Sequence, residues 1–442
     1  MSKMKLDIIE KRLKAKNISQ YEIFLIERNI FESIFLKNKL DNEREIESAE
    51  YFLRILNQSE NKTGIGIIKG NSMNLQNIDN TIETCLRASK TNATSKYTFP
   101  EKKSIPEISM VDKKVLNDPV GIKNDLYKEL IEVVNEQKNV VPTFGRFRIH
   151  VHHSFLRNSN QLNLETSKTF FFSELSLKAE KDNKLAEYWT VNYYKEREHL
   201  NFEHRIKKWA KLAIDNLKAE LPKPNPKTIV VFPPPVLKIA INSVIGFHTL
   251  GMAHFEKVSA FNLEEKIASD NFSLKDNGLL EGGLNTSPWD GEGNPHQKTE
   301  LINQGVFKNR LYDQKYAVLE NAVSTGNGIR DDDGSVINGV SNFTILPGEI
   351  SLDEMISNID EGYYIEKFSW LNPDPISGFF GAEIRNGYYI QNGEFKNPIK
   401  QGNVSGNVLQ MINNCLYISK EREFAENSLF PYIAFTNLHL SS

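Results

Sequence analysis

Cysteine is nearly absent from this sequence: Cys85 and Cys415 are the only two in 442 residues, far apart and each in an apolar context. A disulfide framework is excluded. With one bridge at most, two buried thiols in a reducing compartment are the expectation, because a free cysteine behaves as a small hydrophobe. Long apolar runs are missing too. No stretch approaches the roughly 20 apolar residues that a membrane span needs. The N-terminal MSKMKLDIIEKRLKAK has apolar residues at helical spacing and no continuous apolar core, so it does not read as a secretory signal. A cytoplasmic location is expected. Nor is either charge in excess: 54 Lys and Arg face 57 Asp and Glu, intermixed. Nucleic acid and anionic membranes both call for a basic field, and neither is an expected partner. Internal repeats and low-complexity tracts are lacking. So are a G-x-S-x-G nucleophile elbow and a His partner for either Cys, while STGNG lacks the lysine of a phosphate loop.

What is present is ample material for folded cores, including 26 Phe, in a chain long enough for two or three domains. Residues 4–16 read as an amphipathic helix. Residues 21–37 read as two antiparallel strands, 44–56 and 62–69 as two more, and the segment from Ile78 as a helix. This gives a first α+β unit, residues 1–93. A polar Lys/Ser/Pro stretch, 94–117, reads as a linker. A second α+β unit, 118–221, has a helix from Leu126, three long strand candidates over 145–194 and a charged helix from His199. LPKPNPK then denies helix continuation and marks a boundary. Beyond it, 227–442 opens with a buried strand, a proline turn and an apolar helix. Gly, Asn and Pro punctuation between short strand-like runs follows, which predicts a mostly antiparallel β domain.

Four stretches in this last unit carry a resemblance: SPWDGEGNPHQKTELINQGVFKNRLYD (287–313), STGNGIR (324–330), NFTILPGEISLDEMISNIDEGYYIE (342–366) and ISGFFGAEIRNGYYIQNGEFKNPIKQGNVSGNVLQMINN (376–414). In order and together they resemble the TldD/PmbA family of metallopeptidase-related proteins. The N-terminal half matches that family in layout rather than in motif. The resemblance implies an α+β fold, with N-terminal antiparallel-sheet and helix layers followed by the family's β-rich C-terminal domain.

Active members of the family carry H-E-x-x-x-H on the helix after the first C-terminal strand and a Cys near the C-terminus. The two His and the Cys hold zinc and the Glu serves as general base. The matching helix here reads SVIGFHTLGMAHFEKVSAF. Aligning Gly251 with the family glycine places Phe247 and Met252 at the two His positions and His248 at the Glu; the final segment has no Cys. The resemblance is therefore to the TldE-like branch, taken as the metal-free half of a TldD–TldE pair. It implies no cofactor in this chain, zinc in a TldD-type partner subunit, and extended or unfolded peptides as substrate. The alternatives are a self-sufficient metallopeptidase using His248, His254 and Glu256, and a non-catalytic peptide-binding homodimer. His254 and Glu256 are the nearby groups left for acid–base or ligand work. On a continuous helix, however, His248 and His254 do not share a face.

Three further residues stand in the family's distinctive loops and are candidates to line a substrate chamber: Asp290, Glu292 and Asn327. Asp290 and Glu292 flank a tight turn, and holding that turn is expected of them before catalysis. His150 and His152 in IHVHHSF point the same way from a strand and suit a two-His ligand set. Nothing near them in sequence completes it, so a polar strand face is expected.

Overall fold

The computed structural model describes residues 2–59, 62–91 and 93–442. The N-terminal half is built on one seven-stranded sheet. Its strands are β1 (Tyr21–Leu36), β2 (Lys39–Gln58), β3 (Thr63–Gly70), β4 (Ala93–Thr94), β5 (Val140–Asn158), β6 (Asn163–Lys181) and β7 (Lys184–Tyr194). The spatial order is β4-β3-β2-β1-β5-β6-β7, every pairing antiparallel. Strands from 1–93 and from 118–221 thus share the sheet, joined where β1 pairs with β5. Residues 21–36 form one strand instead of the expected two. Its near-alternating charged residues lie along a continuous ladder, with a register shift only at Ile34/Phe35.

Side chains alternate across a strand, and the two faces of the sheet have different fates. Ile23, Leu25, Phe31 and Phe35 of β1 share one face and are buried under helices. These are α1 (Ser2–Ala15) and α2 (Leu75–Thr91), then the short α3 (Lys113–Asn117), α4 (Pro119–Glu136) and α5 (Phe202–Asn216). Asp112 and Asp118 cap α3 and α4 by accepting bonds from first-turn amides. Glu22 and Phe24, on the opposite face, turn toward the C-terminal domain. The expected linker 94–117 is pinned down: Tyr97, Phe99 and Met110 are buried.

The C-terminal domain starts with β8 (Asn225–Phe232) and holds an eleven-stranded sheet. Five of its strands close a circuit: β8, Ser428–Ser441, Asn403–Asn407, Phe379–Gln391 and Glu361–Phe368, the last pairing back onto β8. Pairing is mostly antiparallel. The parallel exceptions within the sheet are Glu361–Phe368 with β8 and Phe343–Ile345 with Ser428–Ser441. The apolar helix predicted after β8 packs into this core, with Leu237, Ile241, Val244 and Ile245 fully buried beside Val230, Phe232 and Ile433. Among the described residues no helix is long and apolar enough to cross a membrane.

Candidate functional site

The segment expected to be one helix is broken. It runs as α6 (Pro234–Ala240), a π-helical turn (Ile241–Ile245) and α7 (Gly246–Thr249); it then stops at Leu250 and resumes as α8 (Gly251–Phe255). Leu250 is extended, with φ −75° and ψ 141°. The cause is a local strand-like pairing: Gly251 N donates to Leu311 O at 2.8 Å, and Leu311 N donates to Thr249 O at 2.9 Å. His248 and His254 therefore sit on separate pieces, and helix-face arithmetic does not describe them.

His248 is fully buried. Its Nδ1 accepts from Ala260 N at 3.0 Å, so the proton sits on Nε2, which donates to Ile376 O at 3.0 Å. Both nitrogens are spent on main chain. Burial lowers its pKa, against the opposing pull of the Ile376 carbonyl, and keeps the ring neutral. Phe247 and Met252 are half-buried against the domain core. His254 lies outside, with Nδ1 2.6 Å from Glu320 Oε1, while Tyr312 OH donates to Glu320 Oε2 at 2.6 Å. Glu256 is exposed just past α8. The structure does not bring His248, His254 and Glu256 together into a ligand set. The donor chemistry does not fit zinc either: two apolar side chains stand at the ligand positions, and the one imidazole between them has no free lone pair. Among the described residues no group of three or more His, Cys, Asp or Glu is placed to hold a metal ion.

The distinctive loops do something else. Asp290 is buried and accepts from the amides of Glu292, Asn294 and Gly328, at 2.9 Å each. It holds the 290–294 turn and ties it to the 328 strand. Glu292 points into the N-terminal half. It accepts from Tyr97 OH at 2.6 Å, from Arg54 at 3.3 Å and from Gln314 N at 2.8 Å. Arg54 also forks onto Glu22 at 2.8 and 2.6 Å. Arg330 reaches across from the C-terminal domain to the same Glu22 and lies 4.6 Å over the Phe24 ring. Trp289 packs edge-on against Phe24 at 6.4 Å. The result is a buried, charged clasp between the two halves. Burial pushes the Glu22 carboxyl up, but Arg330 and Arg54 outweigh it and hold the group below the usual range. Burial and the Glu292 charge push both Asp290 and Asp313 up to about 7. Asn327 is also buried, donating to Asp276 at 2.9 Å and to Gly339 O at 3.0 Å. Asp290, Glu292 and Asn327 thus sit in closed hydrogen-bond networks within this chain, not on a free wall. Sequence reading missed Glu22 and Arg54, whose only signal was charge at strand positions destined for burial, and Tyr97, which lies in the stretch read as a linker.

His150 and His152 do share a side of β5, and their rings are 5.7 Å apart. Phe170 stacks on His150 at 4.3 Å. Burial first, helped by Arg148 for His150 and by His150 itself for His152, pushes their pKa values down to about 4 and about 3. The neighbouring cations Arg28, Arg148 and Lys168 repel a metal ion as they repel a proton.

Comparison with known proteins accords with this geometry. Residues 225–442 match the PmbA/TldA metallopeptidase C-terminal domain. An uncharacterized protein of Methanocaldococcus jannaschii is 28% identical over 311 residues, 66% of this chain and 72% of that one. A metalloprotease TldD homolog of Buchnera aphidicola is 28% identical over 191 residues, which cover 42% of this chain and 40% of the homolog. The crystal structure of TldE from Thermococcus kodakarensis superposes with a TM-score of 0.87 at 20% identity, covering 98% of this chain and all of that one. That likeness spans both halves and shows a common fold. By this match the C-terminal domain belongs to the PmbA/TldD family, and the chain as a whole shares the fold of TldE.

Proposed function

We propose that this chain is the metal-free, TldE-like subunit of a two-subunit zinc peptidase that degrades or trims extended peptides. The zinc and the general base belong to a TldD-type partner. The observation that carries the reading is His248: the one imidazole at the motif is locked between Ala260 N and Ile376 O, flanked by Phe247 and Met252. A ring with both nitrogens engaged cannot donate an electron pair to a metal without breaking a buried hydrogen bond. The separation of His254, paired with Glu320, speaks against the self-sufficient alternative.

The test is metal content and proteolysis of the purified chain. Alone it should hold no stoichiometric zinc and leave casein and unstructured peptides intact. Cleavage should appear when a co-purifying TldD-type subunit is added, and should stop on chelation. Stoichiometric zinc and chelator-sensitive cleavage by the isolated chain would overturn the proposal. Co-purification with no second subunit would favour the homodimer instead.

A further inference from the structure

The seven-stranded sheet has an edge at β7, which among the described residues pairs with β6 and with no other strand. In an antiparallel edge strand, alternate residues turn both main-chain groups outward. Here the outward set is marked by its carbonyls: Trp189 O accepts from Lys367 and Glu187 O lies 3.5 Å from Arg385. The register with β6 is continuous, so Val191 and Tyr193 face outward as well. Among the described residues no hydrogen bond is made to their outward amides or carbonyls. Val191 and Tyr193 line a cavity of about 900 Å3 between β7 and the C-terminal domain.

Edges left open in soluble proteins are normally guarded by proline, bulges or outward charge. This stretch of β7 has none of these. Two of the chain's four tryptophans border the same groove in exposed positions, Trp189 at 50% and Trp370 at 78%. Exposed aromatics beside a cleft mark contact surfaces. The groove's charge is uneven. Glu366 and Glu426 form ion pairs with Lys208 and Lys238, and Glu423 accepts from Tyr432 OH, whereas among the described residues Arg205, Lys367 and the half-buried Arg422 line the cleft without a carboxylate ion pair; Glu198 stays exposed to water.

We propose that the outer edge of β7 at Val191–Tyr193 takes up an extended peptide as an added strand, with Trp189 and Trp370 flanking it and Arg422 receiving an acidic side chain. Only an extended chain presents donors and acceptors at the two-residue repeat of about 6.6 Å that such an edge offers. The site extends the subunit reading above, since it gives the metal-free chain its own hold on the substrate.

The experiment is fluorescence anisotropy of the full chain with a short labelled peptide of alternating Thr and Val carrying one central Glu. Saturable binding is expected. N-methylation of alternate peptide amides should weaken it at least about tenfold, roughly 1.4 kcal/mol. Val191→Pro removes one outward amide at an edge position that tolerates proline and should weaken binding similarly. Trp370→Ala, at a solvent-exposed position, should do so without altering thermal unfolding. Arg422→Gln should abolish the preference for Glu over Gln in the peptide. No saturable binding, or equal binding of the N-methylated peptide, would overturn the site. So would a dimer that Trp370→Ala dissociates while the peptide stays unbound, since the edge would then join two copies. If binding fails while the reconstituted pair still cleaves peptides, the edge assignment falls and the subunit proposal stands.

Discussion

Arg54 shows at the scale of one residue what the clasp costs and supplies. It is almost fully buried and serves two carboxylates, Glu22 and Glu292. Burying all three charges brings little net stability, but removing one strands the others. Arg54→Ala should lower unfolding stability by about 3–5 kcal/mol, read from urea denaturation; a loss under about 1 kcal/mol would mean that water or Arg330 replaces it. Asp313 offers a sharper test. Its folded pKa is raised, to about 7, by burial and then by Glu292. Between roughly pH 4 and 7 the folded chain holds a proton there that the unfolded chain has released, so stability falls as pH rises through that window. Asp313→Asn keeps an oxygen for the Tyr316 amide. The variant should gain on the parent by on the order of 1–2 kcal/mol at pH 8, with the gain shrinking toward zero below about pH 4. A pH-independent difference would refute the assignment. At this scale the sequence was half legible. That Asp290 braces a turn follows from the Gly-rich spacing around it. That Glu292 reaches Arg54 across 238 positions does not, because spacing carries no information about distant strands.

Elements were easier to read where period and length agreed. The long strands of 140–194 and helices α1, α2 and α4 came through because alternation or a 3.6-residue repeat persisted over many residues. The break at Leu250 did not. The glycines of SVIGFHTLGMAHF do not decide the break locally, since Gly246 is helical despite its low propensity, and the decisive contact comes from Leu311. Gly251 is needed there for space: a Cβ would stand 2.3 Å from the Tyr312 ring. Gly251→Ala should therefore destabilise by about 1–3 kcal/mol, the cost of overpacking, where the same change in an open helix would stabilise. An increase in melting temperature would show that Tyr312 swings away freely. Tyr312 also donates to Glu320, the partner of His254, so the variant should disturb that trio and leave buried His248 unchanged. Imidazole NMR shifts would report on each ring.

For the whole molecule, the sequence conveyed the α+β class and the β-rich C-terminal half. It did not convey that residues before and after the 94–117 stretch complete one sheet, because strand order is set by long-range pairing such as β1 with β5. Pairing across the clasp predicts that the intact chain unfolds in a single calorimetric transition; two well-separated peaks would show the halves to be independent. Arg54→Ala should broaden or split that transition. The pH dependence of the whole is a contest. His150, His152 and His296 are held neutral by burial, with pKa values down to about 4, 3 and 4, and cost stability as pH falls below about 6.5. Buried Asp276, Asp290 and Asp313, raised to about 6, 7 and 7, act in the opposite sense over the same range. The parent should thus have a shallow stability profile between about pH 4.5 and 6.5, and Asp313→Asn should tilt it toward acid sensitivity.

The loop at 287–294 is addressed inward, to acceptors and donors that another part of the gene encodes. Grafting this C-terminal half onto the N-terminal half of a distant relative would transplant a key without its lock. Hybrids should fold only when Glu22, Arg54 and Tyr97 travel with Glu292 and Arg330. Recombination between relatives is therefore constrained at this seam.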